Sequence, residues 1–195
     1  MTRTDAVKIR PIVEGDTEGF RQAVGVVGRE RIYIRLTDAP QAGDALAFVR
    51  SNIVTGNPQF VAEHDGKIIG WCDILRESYE AEQHSGSLGM GVVPGWRERG
   101  IGRQLIEATL QAADAAKFSR VELTVNADNE RAIRLYMSQG FIEEGRKRSA
   151  RFLEGRFRDV LVMGRLSSTW QRVSQARPSL SRSSRPPHEQ FCRYH

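Results

Sequence analysis

Between Leu88 and Arg103 the chain reads Leu-Gly-Met-Gly-Val-Val-Pro-Gly-Trp-Arg-Glu-Arg-Gly-Ile-Gly-Arg, an apolar strand that empties into a glycine-rich, arginine-bearing turn and then a long helical pattern. This junction constrains the chain more than any other stretch, because it is built to hold a phosphate anion. The first turn of a helix leaves backbone N–H groups without partners and carries the positive end of the macrodipole, so anions bind there. Gly100 and Gly102 lack a Cβ and let a bulky pyrophosphate approach the backbone, while Gly95 permits a tight turn after the strand. Arg97, Arg99 and Arg103 add charge-assisted contacts at the rim. A P-loop is excluded, since no glycine here precedes the required Lys-Ser/Thr pair. A dinucleotide-binding turn fits poorly, because Gly100-x-Gly102 lacks the third glycine and the next strand ends in Asn126 rather than an acid. A plain strand-to-helix loop remains open on these residues alone.

The 195 residues suit one domain with a real core. The longest apolar runs are strand-length and the polar start, Met1 to Asp5, lacks the apolar centre of a signal peptide, so we expect a cytoplasmic protein without membrane contact. Cys72 and Cys192 have neither metal spacing nor a disulfide framework, and no metal is expected. The net charge of +5 points to nucleic acid only until it is located: residues 1–166 hold 24 Lys+Arg against 23 Asp+Glu, whereas 167–195 hold five Arg against one Glu. The basicity lies in a Ser/Arg/Pro-rich tail, 167–195, which reads as disordered and outside the fold. Nucleic acid is therefore not an expected partner, except through that tail.

Along the chain, Val7 to Val13 alternates like a strand, and Asp16 reads as the cap of a helix running to Arg29. A second helical stretch covers about Ala42 to Asn52. The period then changes to two: Phe60–His64 and Lys67–Leu75 flank Asp65-Gly66, the strongest kind of short hairpin signal. After loop residues 77–84 comes the strand ending at Val93. Ile101, Leu105, Ala108 and Ala112 give the next helix one broad apolar face. Arg120–Val125 is a strand, Asp128 reads as the cap of a helix holding Ala132, Leu135 and Tyr136, and Gly140 stops that helix. Two strands around Glu154-Gly155 close the domain. The order β-α-α-β-β-β-α-β-α-β-β implies an α/β fold, α+β in character, whose mixed sheet has helices on both sides. The strand before the glycine loop and the strand after its helix run parallel, and a ligand can wedge between their C-terminal ends.

Three segments in this order resemble the GCN5-related N-acetyltransferase (GNAT) superfamily over about residues 6–166. Arg97-Glu-Arg-Gly100-Ile-Gly102 matches its acyl-CoA loop, [R/Q]-x-x-G-x-[G/A]. The preceding Gly-Val-Val-Pro resembles its usual strand exit, and Asn129 to Phe141 resembles its N-x-x-A-x-x-[L/F]-Y-x-x-x-G-F motif. The resemblance implies direct transfer of an acetyl group from acetyl-CoA to an amine. It further implies that main-chain groups of Val92 and Val93 pair with the pantetheine arm and that backbone N–H groups from Arg97 through Arg99, Gly100, Ile101 and Gly102 to Arg103 hold the pyrophosphate. Asn129 would hydrogen-bond the arm, Ala132 would leave room for it, and Tyr136 would protonate the departing thiolate. A phenol of ordinary pKa ~10 can do this if held close.

A protonated amine cannot attack a thioester, so a base or a pocket that lowers the amine's pKa is required. Relatives often place a carboxylate on the strand leading to Val93, but Ser85 to Met90 holds none. Asp73, Glu77, Glu80, Glu82 and Glu122 are the nearby acids, and none is singled out as the base. The closing segment Arg148 to Met163 looks like the branch of amino-acid, phosphinothricin-like and polyamine acetyltransferases. There the segment near Glu30, Tyr33 and Asp38 lines the acceptor side; acidic residues there would suit a cationic amine, and Tyr33 or Trp71 could cover its apolar part. The expectation is acetyl transfer to a small-molecule amine, an amino acid or its like. Transfer to a protein N-terminus or lysine is a second reading, and a non-catalytic acyl-CoA sensor a third. The family often forms dimers, so a homodimer belongs among the expectations.

Overall fold

The computed structural model describes residues 6–167. Apart from Ser167, the segment read above as a tail lies outside the described residues, as does Cys192. The elements are β1 (Lys8–Pro11), α1 (Thr17–Arg29), α2 (Ala42–Thr55), β2 (Gln59–His64), β3 (Lys67–Arg76), β4 (Ser85–Val92), α3 (Ile101–Ala115), β5 (Arg120–Asn126), α4 (Glu130–Ser138), β6 (Ile142–Leu153) and β7 (Arg156–Leu166), with short 3-10 turns at Glu14–Asp16 and Glu80–Glu82. The order is the expected one. The strands form a seven-stranded sheet in the order β1-β2-β3-β4-β5-β7-β6.

Every neighbouring pair is antiparallel except β4 with β5. That parallel ladder runs only from Ser85↔Arg120 to Ser87↔Glu122 and stops, although β4 continues to Val92 and β5 to Asn126. The sheet is thus split at its centre, on the C-terminal side of two parallel strands.

Side chains on a strand alternate between faces, and the alternation sorts the core into two layers. Cys72, Ile74, Leu123 and Val125 pack with Ile101, Leu105 and Ile106 of α3 and with Tyr136 of α4. Val61 and Trp71 pack on the other face with Phe20, Val24 and Val27 of α1 and Val49 of α2. Helix α1 contains Gly19, Gly25 and Gly28, each unfavourable in a helix by about 1 kcal/mol relative to Ala. Its apolar residues, Phe20, Ala23, Val24 and Val27, recur at i, i+3, i+4 and i+7, and burying each larger one contributes about 1.5–3 kcal/mol. Packing therefore outweighs propensity here.

Two capping expectations are corrected. Asp16 precedes α1 but makes no side-chain cap on it; its carboxylate instead accepts from the Val13 N–H at 2.9 Å and binds the Arg10 guanidinium at 2.6 and 2.7 Å. Asp128 is drawn off by Arg158, and Asn129 caps α4 by accepting from the Ala132 N–H at 3.2 Å. In both cases an arginine from another strand competes for the carboxylate, and a charge-assisted bond is the stronger. The Asp65-Gly66 turn has φ 47° and 73°, as a two-residue hairpin requires. Gly140, at φ 85°, ends α4 as expected. Among the described residues no helix is long and apolar enough to cross a membrane.

Candidate active site

A cavity of about 790 Å³ passes through the split between β4 and β5. Its wall combines residues of both faces of the sheet: Tyr33, Trp71 and Asp73 from the α1/α2 side, and Ala132, Leu135 and Tyr136 from the α4 side. Val92, Arg97, Gly100, Gly102, Arg103 and Asn129 complete the rim where β4 passes into α3.

At that rim Gly100 adopts φ 77°, a left-handed conformation that glycine takes without strain. Its carbonyl accepts the first bond of α3, from the Gln104 N–H at 3.1 Å. The N–H groups of Ile101, Gly102 and Arg103 are therefore left without backbone partners. The Ile101 side chain is buried in the core, which fixes the turn while its N–H stays available. A Cβ on Gly102 would meet Leu135, Met90 and Val92 no closer than 3.5 Å. The protein itself therefore leaves room there. Among the rim arginines, Arg99 lies over the Trp96 ring at 5.0 Å, and Arg103 pairs with Glu107 at 2.7 Å on the exposed surface of α3. Such an exposed pair is worth little and yields easily to a stronger anion.

Arg97 behaves differently from the rim contact expected of its side chain. Its Nε donates to the Val92 carbonyl at 2.8 Å, and its Nη1 donates to Glu30 Oε2, also at 2.8 Å, in a two-pronged pair with that carboxylate. The guanidinium thus ties the end of α1 to the end of β4. Glu30 is accordingly taken up by Arg97, and Asp38 by Arg29 at 2.6 Å; neither is part of the cavity wall, which corrects the expectation that these acids face a cationic acceptor. Tyr33 and Trp71 do line the cavity. Tyr33 lies against the guanidiniums of Arg97 and Arg131, at 4.7 and 5.8 Å. Trp71 is nearly enclosed, packing edge-on against Phe20.

The expectation for Val93 also changes. Its N–H donates to the Ile69 carbonyl of β3 at 3.0 Å, so it points away from the split. Because backbone direction alternates along a strand, Met90 and Val92 turn their N–H groups toward the open side, where the β5 ladder has already ended. The Val92 carbonyl is taken by Arg97, leaving its N–H as the free group.

Two buried ionisable groups on the cavity wall have no hydrogen-bond partner in the protein. Tyr136 is buried, with its ring 6.0 Å from that of Phe141, and burial pushes its phenol well above the ordinary range. Asp73, 5% exposed, sits opposite Gly89 in the β3–β4 register, and a Cβ at Gly89 would come within 3.1 Å of its Oδ1. Burial alone pushes Asp73 up to about 7. In the sequence it is one of five nearby acids, none singled out as the base. The available signal was a carboxylate inside an otherwise apolar strand, Ile-Ile-Gly-Trp-Cys-Asp-Ile-Leu. Arg35 and Arg151, also on the wall, were not singled out at all. Cys72 points into the core with its thiol held protonated by burial, so it is no nucleophile. Among the described residues no group of three or more His, Cys, Asp or Glu could hold a metal ion.

Comparison with known proteins adds the following. The model of the acetyltransferase (GNAT) family matches residues 31–141. The chain is 27% identical over 161 residues to the L-amino acid N-acetyltransferase AaaT of Escherichia coli (strain K12), covering 82% of this chain and 98% of that protein. It is 35% identical over 106 residues to the N-alpha-acetyltransferase RimI of Mycobacterium tuberculosis (strain ATCC 25618 / H37Rv), covering 52% of this chain and 63% of that protein. A GNAT superfamily phosphinothricin acetyltransferase from Sinorhizobium meliloti, solved in complex with AcCoA, superposes with a TM-score of 0.77 over 82% of this chain and 88% of that one, at 19% identity.

Proposed function

The chain belongs to the acetyltransferase (GNAT) family, and from that premise we propose that it transfers an acetyl group from acetyl-CoA directly to the primary amine of a small molecule, an amino acid or its like. The observation that carries this reading is a single cavity that joins the unpartnered N–H groups of α3, the unpaired edge of β4, Tyr136 and Asp73 through the split in the sheet. The cosubstrate fits the residues present: three free N–H groups at a helix start, with a glycine that leaves space, suit a pyrophosphate. The N–H groups of Met90 and Val92 offer an extended arm a strand edge to lie along. Asn129 spends its oxygen on capping α4 and keeps its amide N–H groups for the arm. Ala132, small and half-buried, keeps the channel open. Bound there, acetyl-CoA supplies an acetyl group on an activated thioester.

The remaining chemistry belongs to two side chains on opposite faces of the sheet. Asp73, raised by burial to about 7, accepts the proton of the acceptor's amine as the nitrogen–carbon bond forms. Tyr136 stays protonated at that pH and gives its proton to sulfur as the carbon–sulfur bond breaks. A raised phenol pKa does not prevent this, because the same desolvation raises the proton affinity of a thiolate in the site. Solvent exchange then returns the proton from Asp73 to Tyr136. With Cys72 sealed in the core, transfer needs no acylated enzyme.

The test is thermal stabilisation by acetyl-CoA and by CoA, followed by thiol release with amino acids, polyamines, aminoglycosides and short peptides. Stabilisation with turnover is expected. Stabilisation without any turnover would favour an acyl-CoA sensor, peptide turnover above free-amine turnover would favour a protein acceptor, and no stabilisation would end the argument from the glycine loop.

A further inference from the structure

The acceptor side of the cavity carries positive charge that acetyl transfer does not use. Arg35, from the segment between α1 and α2, and Arg151, from β6, both line the wall. Neighbouring arginines are matched with carboxylates: Arg31 with Glu154, Arg131 with Glu98, Arg146 with Asp159 and Arg158 with Asp128. Among the described residues, neither Arg35 nor Arg151 has such a partner.

Arg151 is instead held by a neutral group. Its Nη1 donates to Asn126 Oδ1 at 2.6 Å, and the amide N–H of buried Asn126 donates to the Ile32 carbonyl, which fixes the direction of the amide. A neutral acceptor orients a guanidinium without cancelling its charge. Arg151 is half-buried, and both desolvation and the repulsion of Arg35 lower its basicity. An anion between the two would relieve that repulsion and accept charge-assisted bonds.

The face of the sheet says which anion. Leu123 and Val125 point to the α3/α4 layer, so Thr124 and Asn126 point to the α1/α2 layer, where Trp71 and Asp73 also lie. The pyrophosphate is provided for on the other side, at the start of α3. What remains on the acceptor face is one buried carboxyl, Asp73, and two guanidiniums without ion pairs, with exposed Asp44 also on a wall whose apolar part includes Val24, Val27 and Phe48.

We infer that Arg35 and Arg151 form a carboxylate subsite, so that the acceptor is a free α-amino acid with an apolar side chain, its carboxylate on the two guanidiniums and its amine at Asp73. The inference rests on the acetyl-transfer reading above and narrows its substrate class.

The experiment is thiol release at saturating acetyl-CoA with L-leucine, L-methionine and L-phenylalanine, each beside its amide and its decarboxylated amine. The unaltered protein is expected to prefer the free acids at least ~10-fold in kcat/KM. Arg151→Gln and Arg35→Gln are each expected to raise KM for the acids by about 10- to 100-fold, the loss of one charged hydrogen-bonding partner. KM for acetyl-CoA and rates with the amides should stay put, and Arg151→Lys should restore part of the preference. Arg35→Gln, in an exposed segment, keeps the test open if the β6 variant is unstable. Equal use of acids, amides and amines, or equal losses on all three, would overturn the subsite. If no amine releases thiol, the acetyl-transfer reading falls and binding decides the subsite: stabilisation by N-acetyl-L-leucine that Arg35→Gln and Arg151→Gln remove supports it, and its absence overturns it.

Discussion

Replacing Asp73 with Asn alters two quantities that one buried carboxyl controls. The side chain is 5% exposed, has no hydrogen-bond partner in the protein, and burial raises it from 3.8 to about 7. At about 1.4 kcal/mol per unit, three units of displacement correspond to about 4 kcal/mol between the protonated and ionised forms. Because the folded value is the higher one, the native chain holds a proton that the unfolded chain has released. The associated stability is complete below pH ~4 and is lost as pH rises through about 7. Asn has nearly the same size and no charge to desolvate, so Asp73→Asn should gain several kcal/mol on the unaltered protein between pH 4 and 8. Urea denaturation of both proteins across that range measures the difference. The surface carboxylates held low by arginines, Asp16, Glu18 and Glu144, titrate alike in both and cancel. Over the same range kcat should fall by about 10²–10⁴-fold, the usual contribution of a general base, and the rise of the pH–rate profile near 7 should vanish. Parallel stability curves together with undiminished turnover would refute both the burial argument and the assignment of the base.

Tyr136→Phe removes a hydroxyl with no protein partner, so stability should change by less than ~1 kcal/mol. Steady-state kinetics should show kcat falling about 100-fold with KM for acetyl-CoA nearly unchanged; a loss of affinity alone would make Tyr136 a packing residue against Phe141. At Gly102 a Cβ finds only ordinary contacts at 3.5 Å, so Gly102→Ala should fold with an unchanged Tm. Gly102→Glu should abolish thermal stabilisation by acetyl-CoA, and unchanged affinity in that variant would remove the phosphate site from the α3 turn.

The alternation of Phe60–His64 and Lys67–Leu75, the Asp65-Gly66 turn and the stop at Gly140 are local signals, and the structure has all of them where local chemistry puts them. So is the glycine turn before α3, whose free N–H groups follow from helix geometry. Caps were less legible. Asp16 and Asp128 carry the right side chains, but Arg10 on β1 and Arg158 on β7 take them, and that competition is decided in three dimensions. The place of Glu30 is not legible in the sequence for the same reason, since its partner Arg97 lies 67 residues further on.

By itself the sequence determined the order of the elements, the parallel strands around the glycine turn and the residues at the start of α3 and in α4, because each depends on chain neighbours within a few turns. Only the tertiary structure decided which face of the sheet each side chain occupies, which charges are already spent and which are left over. The split between β4 and β5 brings Tyr136 and Asp73 to one cavity from opposite faces. Burial, a property no residue has alone, raises Asp73 to about 7, and Arg35 and Arg151, which line the cavity without forming an ion pair, keep charge to offer.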